Sequence, residues 1–158
     1  MEQLSIIIFP IIIFLIFFIG IWLFVCFILS RVSGWDRLAS KYQNDGTFNG
    51  KRWHFRSCRM NGYVNYNGCL TFGASSAGLY MKVLPLFRFH HPPLLIPWSE
   101  IQEKKEKGTM FNYQELTFTS VPTVRLSLLE SLGEKLLSAS NRQKSDTEYR
   151  AYQKIEPH

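Results

Sequence analysis

Five residues that can ligate a metal ion lie in one half of the 158-residue chain: His54, Cys58, Cys69, His90 and His91. A structural zinc site usually takes its ligands as closely spaced pairs, such as C-x2-C or H-x3-H. The sequence contains neither pair. His54 and Cys58 are four residues apart, a spacing of about 13 Å in an extended strand, which is too far for one ion. We therefore predict no metal site and no cofactor, and interpret these residues as core thiols and surface imidazoles.

Nucleophilic chemistry is the second possibility, because the segment Gly73–Gly78 reads Gly-Ala-Ser-Ser-Ala-Gly. A nucleophile elbow has the pattern G-x-S-x-G and leads into a helix. Here one residue too many separates the glycines, and the following segment has no helical pattern, so the sequence favours a hairpin turn. Four acidic residues fall in or beside a charged segment typical of solvated surface: Glu100, Glu103, Glu106 and Glu115. We predict a protein that is not an enzyme and has no small-molecule substrate.

Basic residues are unevenly distributed. Between Arg31 and His91, nine Lys or Arg residues face two Asp residues, a net charge of +7, whereas the chain from Pro92 onward is balanced. In that later half Lys104, Lys105 and Lys107 alternate with acids, which cancels the field that nucleic acid would need. No nucleic-acid partner is expected. The excess of positive charge between Arg31 and His91 suits an anionic membrane surface, which attracts each basic residue near it by about 1 kcal/mol.

An apolar run of 24 residues, Ile6 to Leu29, precedes these charges. As a helix it is about 36 Å long, enough to cross a hydrocarbon core of about 30 Å. A cleaved signal peptide is not favoured, because the run is too long and follows no basic residue. The positive-inside rule places the flanking residues Arg31, Arg37 and Lys41 in the cytoplasm. We predict a single-pass membrane protein with its N-terminus outside and its C-terminal domain inside, in the inner or plasma membrane if bacterial.

A short helix follows the span, with Ser33 as its cap. Trp35, Leu38, Ala39 and Tyr42 recur at helical spacing and form one apolar stripe. This helix lies either on the bilayer, where Trp35 has the position of an interfacial aromatic, or on the domain. The sequence leaves both alternatives open.

Period-2 patterns dominate the next 80 residues and predict a mainly-β domain. In the first strand, Arg52–Arg59, we expect Trp53 and Phe55 to share one face. Further strands are predicted at Cys69–Phe72, Leu79–Leu84, Leu94–Ile101 (proline-interrupted, at an edge), Phe111–Thr119 and Thr123–Leu129, with a solvated turn at Glu103–Gly108. A closing helix is indicated by the stripe Leu129, Leu132, Leu136 and Ala139.

These patterns divide the chain into five parts. Residues 1–5 are a short extracytoplasmic N-terminus and 6–29 a transmembrane helix. Residues 30–47 are a juxtamembrane helix and linker, 48–140 the β-domain with its C-terminal helix, and 141–158 a polar tail predicted to be disordered. The three cysteines, Cys26, Cys58 and Cys69, are expected to be free thiols.

The segments Gly78–Val83 and Pro93–Ile101 resemble a strand pair of pleckstrin-homology-like domains of the GRAM and bacterial types. The chain also resembles small uncharacterised single-pass bacterial proteins that carry one such domain. The resemblance implies a partly open barrel of two antiparallel sheets with a C-terminal capping helix. Some members of this superfamily bind phosphoinositide headgroups through basic residues near the first hairpin. Here Lys51, Arg52, Arg56 and Arg59 lie there without the family's motif, so the resemblance leaves the ligand open.

The resulting hypothesis is a membrane-tethered adaptor or scaffold. Its basic face, with Lys51, Arg52, Arg56 and Arg59, would contact anionic lipid of the bilayer, and its opposite face would meet a protein partner. One alternative is a small accessory subunit of a larger membrane complex. A remote alternative is a membrane-bound enzyme.

Overall fold

The first element is one long helix, α1, from Glu2 to Ser33. The computed structural model describes residues 2–106 and 112–141, with side chains from residue 7 onward. Helix α1 includes the predicted span and extends it at both ends, so residues 2–5 are helical too. Its large apolar side chains from Ile7 to Ile21 are exposed. Within the described chain it is the one helix that is long and apolar enough to cross a membrane, judged by length and composition.

Gly34 separates α1 from a second helix, α2, which runs from Trp35 to Tyr42. Gly34 has φ +80, a left-handed conformation that glycine adopts without strain. A Cβ at this position would also lie 2.6 Å from Cγ2 of Val124. Gly34 therefore occupies the N-cap position predicted for Ser33, although the Ser33 hydroxyl still accepts a hydrogen bond from the Trp35 N–H at 3.3 Å.

The apolar stripe of α2 packs against the sheet. Trp35 and Leu38 are fully buried, and Tyr42 is almost so. All three belong to the main hydrophobic core. Of the two placements that the sequence left open, the structure has the helix on the domain, and Trp35 is a core residue instead of an interfacial aromatic. The core thus begins before residue 48, where the sequence placed the start of the domain.

Seven antiparallel strands form one curled sheet, a half-barrel, in the order β4-β3-β2-β1-β7-β6-β5. The sheet consists of two meanders, β1 to β4 and β5 to β7. They are joined where β1 pairs with β7, at Arg59↔Ser127 and Met60↔Leu126. The strands are β1 Lys51–Met60, β2 Val64–Ala74, β3 Leu79–Val83, β4 Leu94–Ile96, β5 Ile101–Glu106, β6 Tyr113–Phe118 and β7 Val121–Leu129.

The first strand contains a bulge that the sequence pattern did not predict. Its register against β2 shifts between Trp53 and Arg56 and again before Cys58. Phe55 lies in the bulge with φ +54 and is 70% exposed. The expectation that Trp53 and Phe55 share one face is therefore wrong, because a bulge interrupts the alternation of side chains.

The segment from Leu94 to Glu106 also differs from its prediction. Only Leu94–Ile96 forms strand β4, and after Pro97 a 3-10 turn covers Trp98–Glu100. The predicted solvated turn is largely strand β5, whose side chains are mostly exposed. Since β5 is the edge of the sheet, charged residues are compatible with it. Residues 107–111, which include the end of that turn and the predicted start of the next strand, lie outside the described residues.

A third helix, α3, covers residues 130–141 and follows the last strand directly. Leu132 and Leu136 are buried and Ala139 packs against the core, as the predicted stripe required. Leu129 ends β7 and is exposed. The predicted disordered tail lies outside the described residues apart from its first residue.

Candidate binding surfaces

The last third of α1 contacts one end of the sheet. From the β1–β2 turn, Asn61 Nδ2 donates to the Ser33 carbonyl at 3.0 Å. The loop between β3 and β4, residues 84–93, lies alongside the same part of α1. Trp22 Nε1 donates to the Leu86 carbonyl at 3.2 Å, and the Ser30 hydroxyl donates to the His90 carbonyl at 2.6 Å. The orientation of the sheet relative to α1 is thus defined by direct contacts.

A buried polar cluster lies beneath this junction. The Tyr66 hydroxyl is 2.9 Å from His91 Nε2 and 2.9 Å from the Ser33 hydroxyl. The Trp35 ring packs against both rings, 5.9 Å from Tyr66 and 5.3 Å from His91 between centroids, and its Nε1 donates to the Pro92 carbonyl. The cluster therefore joins α1, α2, β2 and the β3–β4 loop.

Burial keeps the cluster neutral. It lowers the pKa of His91 and raises the pKa of Tyr66. In the neutral ring, Nδ1–H donates to the Phe89 carbonyl at 2.9 Å, and Nε2 accepts from the Tyr66 hydroxyl. His91 is 1% exposed, so a substrate does not reach this imidazole. The arrangement is suited to fixing the junction, and the expectation that the histidines are surface groups is wrong for His91.

Two of the four predicted lipid-contact residues, Lys51 and Arg52, lie at the start of β1 and pack on aromatic rings. The Arg52 guanidinium lies 5.4 Å from the Phe48 ring and 5.9 Å from the Tyr80 ring, and it donates to the Phe48 carbonyl. Lys51 Nζ lies 5.5 Å from the Trp53 ring. This end of the β1–β2 hairpin is opposite to the turn that contacts α1.

The other two residues lie further along β1. Arg56 is in the bulge and lines a cleft of about 160 Å³ with Phe55 and with Lys135 of α3. Arg59 lies near the β1–β2 turn, and its Nε donates to Asn65 Oδ1 at 3.0 Å. Lys51 and Arg59 are eight residues apart, roughly 26 Å along an extended strand. The structure does not bring the four residues together.

A different basic pocket lies next to the end of α1, and we call it the α1-proximal pocket. It has a volume of about 400 Å³, and its lining comprises Arg37, Asn61, Gly62, Tyr63, Glu115, Thr123 and Arg125. Arg37 Nη1 donates to Thr123 Oγ1 at 3.0 Å. Two guanidinium groups and one carboxylate face this pocket, so its charge favours an anion.

Hydrogen bonds to the β1–β2 turn fix this pocket. The Asn61 N–H donates to the Arg125 carbonyl at 2.8 Å, and the Arg125 N–H donates to Asn61 Oδ1 at 3.0 Å. The Tyr63 hydroxyl donates to the Val32 carbonyl at 3.3 Å. Among the predicted topology-setting residues, Arg37 lines the pocket, Arg31 pairs with Asp36 at 3.4 Å, and Lys41 is exposed on α2.

A groove opens where β1 separates from β7. The two strands pair at only two positions, and a cavity of about 280 Å³ lies beside them. Ser57, Cys58 and Arg59 line one side of this cavity, and Ser127, Leu128 and Leu129 line the other. From Lys51 to Cys58, the edge of β1 that faces β7 is not paired with any strand among the described residues.

The residues considered for metal or nucleophilic chemistry are dispersed. Among the described residues, no three His, Cys, Asp or Glu side chains are grouped so that they could hold a metal ion. His54 Nδ1 lies 3.1 Å from Thr71 Oγ1. All three cysteines are free, and burial raises the pKa of both Cys58 and Cys69, which makes these thiols poor nucleophiles. The Gly73–Gly78 segment forms the end of β2 and a turn, as expected.

Comparison of the chain with protein-family models, with curated proteins and with solved structures finds no match.

Proposed function

We propose that this chain is a single-pass membrane protein whose cytoplasmic domain is a binding module without enzymatic activity. The proposal rests on two properties of α1 together. Its apolar side chains are exposed from Ile7 onward, and its last turns are hydrogen-bonded to the β-domain. A helix that is apolar on all sides needs an apolar surrounding, and lipid supplies it. The domain would then be held at the membrane surface in one orientation.

We further propose that the domain is pleckstrin-homology-like. The curled antiparallel half-barrel and the helix after its last strand support this, because the sequence resemblance implies a partly open antiparallel barrel with a C-terminal helix. Helix α3 packs Leu132 and Leu136 into the core. Fold alone does not define a ligand.

The ligand we propose is the phosphate of an anionic lipid headgroup in the α1-proximal pocket. Arg37 and Arg125 face this pocket, and the hydrogen bonds from Asn61 and Tyr63 place it beside Val32 and Ser33, at the end of α1. Guanidinium groups bind phosphate through paired, charge-assisted hydrogen bonds. Arg59, one of the four predicted lipid-contact residues, lies close to this pocket, because it pairs with Ser127, two residues from Arg125.

A protein partner, as an adaptor or scaffold requires, would meet the sheet at the groove between β1 and β7. An extended segment could pair with the open edge of β1 in the groove beside β7. The accessory-subunit alternative predicts instead that α1 is covered by a larger complex.

Lipid selectivity tests the proposed ligand. The full chain is reconstituted in bilayers of phosphatidylcholine with phosphatidylglycerol, and spin-labelled versions of each lipid report the fraction restricted by the protein. We expect enrichment of phosphatidylglycerol at low salt, and less at 1 M salt, where the screening length falls to about 3 Å. The double variant Arg37→Gln/Arg125→Gln should lose the enrichment.

The matched control is Lys51→Gln/Lys135→Gln, which removes the same charge from exposed positions away from the α1-proximal pocket. It should keep the enrichment. If both double variants lose the phosphatidylglycerol enrichment equally, the enrichment depends on the net charge of the chain and not on the α1-proximal pocket. If the unmodified chain has no preference, the lipid proposal is wrong and the accessory-subunit alternative gains support.

Orientation is tested with two reporters fused after His158. A fluorescent protein that matures only in the cytoplasm should be bright, and a phosphatase that is active only outside should be silent. The expected result follows from Arg31, Arg37 and Lys41 at the C-terminal side of the span. An active phosphatase with a dark fluorescent protein would reverse the orientation.

A further inference from the structure

The β3–β4 loop contacts α1 inside its apolar run, well before the helix ends. The Trp22 ring packs on Phe87 at 5.1 Å between centroids, and the Phe27 ring packs on His90 at 4.9 Å. Ser30 completes the contact through the His90 carbonyl. From Trp22 to Ser30 the loop therefore follows α1 for about 12 Å.

At this level the side of α1 away from the loop is also apolar. Phe24, Val25 and Ile28 are exposed there, and nothing in the described chain covers them. If the membrane ended at Trp22, all three side chains would face water. The apolar run is about 36 Å long, about 6 Å more than the hydrocarbon core, and this excess is comparable to the thickness of one headgroup region. This part of α1 thus belongs at the boundary between hydrocarbon and headgroups.

The loop itself exposes large apolar side chains at the same level. Leu86 is 69% exposed and Phe89 is 44% exposed. Arg88 between them is exposed as well, and an arginine beside apolar residues can extend its guanidinium toward phosphates. Trp22, the first of the α1 residues that contact the loop, is of a type enriched at this boundary.

We propose that the β3–β4 loop is a second membrane-contacting element, immersed in the boundary region of the leaflet from which α1 emerges. Leu86 and Phe89 enter the acyl chains next to α1, and Arg88 reaches the headgroups. This inference rests on the proposed membrane insertion of α1. Its consequence is that the domain is attached to the bilayer at two adjacent places, which restricts its rotation about α1 and holds the α1-proximal pocket at headgroup level.

The test measures the depth of single spin labels in the full chain, reconstituted in nanodiscs at one copy per disc. Cys26, Cys58 and Cys69 are replaced with Ala, and a label is placed at position 86 or 89. Oxygen, which concentrates in lipid, and a nickel chelate, which stays in water, report the surroundings of the label. Position 16 within α1 and position 76 in the β2–β3 turn serve as lipid and water references, since Ile16 and Ser76 are both exposed.

Labels at positions 86 and 89 should respond mainly to oxygen, as at position 16, while position 76 responds to nickel. If position 16 is in lipid but 86 and 89 respond to nickel, the loop inference is overturned and the proposed anchor stands. If position 16 responds to nickel, the proposed anchor itself is overturned. If neither reagent reaches 86 and 89, protein covers the loop, which also overturns the inference.

A second measurement avoids the cysteine replacements, which could prevent folding. A benzoylphenylalanine at position 89 replaces one aromatic side chain with a larger one in the otherwise native chain, and illumination should give lipid adducts detectable by mass spectrometry. The same group at position 76 should give none. Equal adduct yields at both positions, or no adduct at position 89, would contradict immersion of the loop.

Discussion

The Tyr66 hydroxyl lies 2.9 Å from Nε2 of His91, a contact between β2 and the β3–β4 loop directly beneath the end of α1. The same hydroxyl is 2.9 Å from Ser33 at the end of α1. Three segments far apart in sequence therefore meet at one buried phenol. Since buried polar groups are costly when unpaired, each partner depends on the other two.

Replacing Tyr66 with Phe should destabilise the chain by about 1–3 kcal/mol, because Nε2 of His91 is left buried without a donor. Urea unfolding of the full chain in detergent micelles measures this change. The control is Tyr63→Phe, which removes an exposed hydroxyl bonded to the Val32 carbonyl and should cost no more than about 0.5 kcal/mol. Equal effects would mean that the buried cluster does not contribute as inferred.

The stability of the domain should fall as pH falls from about 6.5 toward 5. Burial lowers the pKa of His91 in the folded chain, so the unfolded chain, with a pKa of about 6.5, takes up a proton more readily in this window. Above about pH 7 the ring is neutral in both states and contributes no slope. The groups near the ring are the Tyr66 phenol and the His90 side chain, and the Coulomb interaction with His90 also lowers the pKa of His91.

The variant His91→Gln should lose most of this slope, whatever its stability at pH 7.5. His90→Gln should keep it, because His90 is exposed. The measurement is the free energy of unfolding at half-unit intervals between pH 5 and 7.5, with an upper limit of about 1.4 kcal/mol per pH unit for one proton. If both variants retain the slope of the unmodified chain, another group is responsible.

The sequence predicted most of the helices and strands, but it did not predict which part of the molecule or its surroundings covers their apolar faces. The stripe of Trp35, Leu38 and Tyr42 indicated an amphipathic helix, and α2 is that helix. A stripe identifies the side chains that need covering, and both a bilayer and a sheet satisfy it. The choice depends on Gly34, whose left-handed conformation turns the chain from α1 onto the sheet.

The hydrophobic pattern of the sequence did not reveal the bulge in β1 or the charged strand β5. Alternation places Phe55 on the same face as Trp53, yet Phe55 lies in a bulge and is exposed to solvent, and a bulge leaves no mark in the hydrophobic pattern. Strand β5 is charged along its length and was predicted as a turn. An edge strand with exposed side chains has little apolar signal to detect.

The α1-proximal pocket was only half predictable. The sequence selected Arg37 from its position after the apolar run, but Arg125 lies in the half with balanced charge. Their proximity results from the packing of α2 against β7, where Arg37 Nη1 donates to Thr123 Oγ1, a contact between distant parts of the chain. Alternation along β7 puts Arg125 on the face opposite to Val124 and Leu126, and this is the one signal that could have included it.

Replacing Gly34 with Ala should cost more than the same change at Gly62. Both residues have positive φ, at +80 and +82, so each substitution introduces backbone strain of about 1 kcal/mol. At Gly62 a Cβ meets nothing within 4 Å, whereas at Gly34 it meets Val124 at 2.6 Å. Thermal unfolding should rank the two substitutions. Gly34→Ala should cost less stability when it is introduced into a Val124→Ala chain than when it is introduced into the unmodified chain. A similar cost at both glycines would exclude the close approach as a cause.

The folding unit of the domain includes α2, whose apolar stripe belongs to the main core. A fragment of residues 48–141 contains every strand but lacks α2, and it should not fold cooperatively. Trp35 and Leu38 are fully buried, and deleting one large core side chain typically costs about 2–5 kcal/mol. Losing both is comparable to the whole stability of a small domain, about 5–15 kcal/mol.

A fragment of residues 30–141 retains α2 together with Ser30 and Ser33, and it should give a sharp thermal transition with a strand-dominated far-ultraviolet dichroism spectrum. The near-ultraviolet signal distinguishes the two fragments further, because Trp35 is held rigidly against Tyr66 and His91 only in the longer one. A synthetic peptide of residues 30–47 added to the shorter fragment should partly restore the transition. If residues 48–141 alone unfold at the same temperature as the longer fragment, α2 is an appendage, and the domain begins where the period-2 pattern begins.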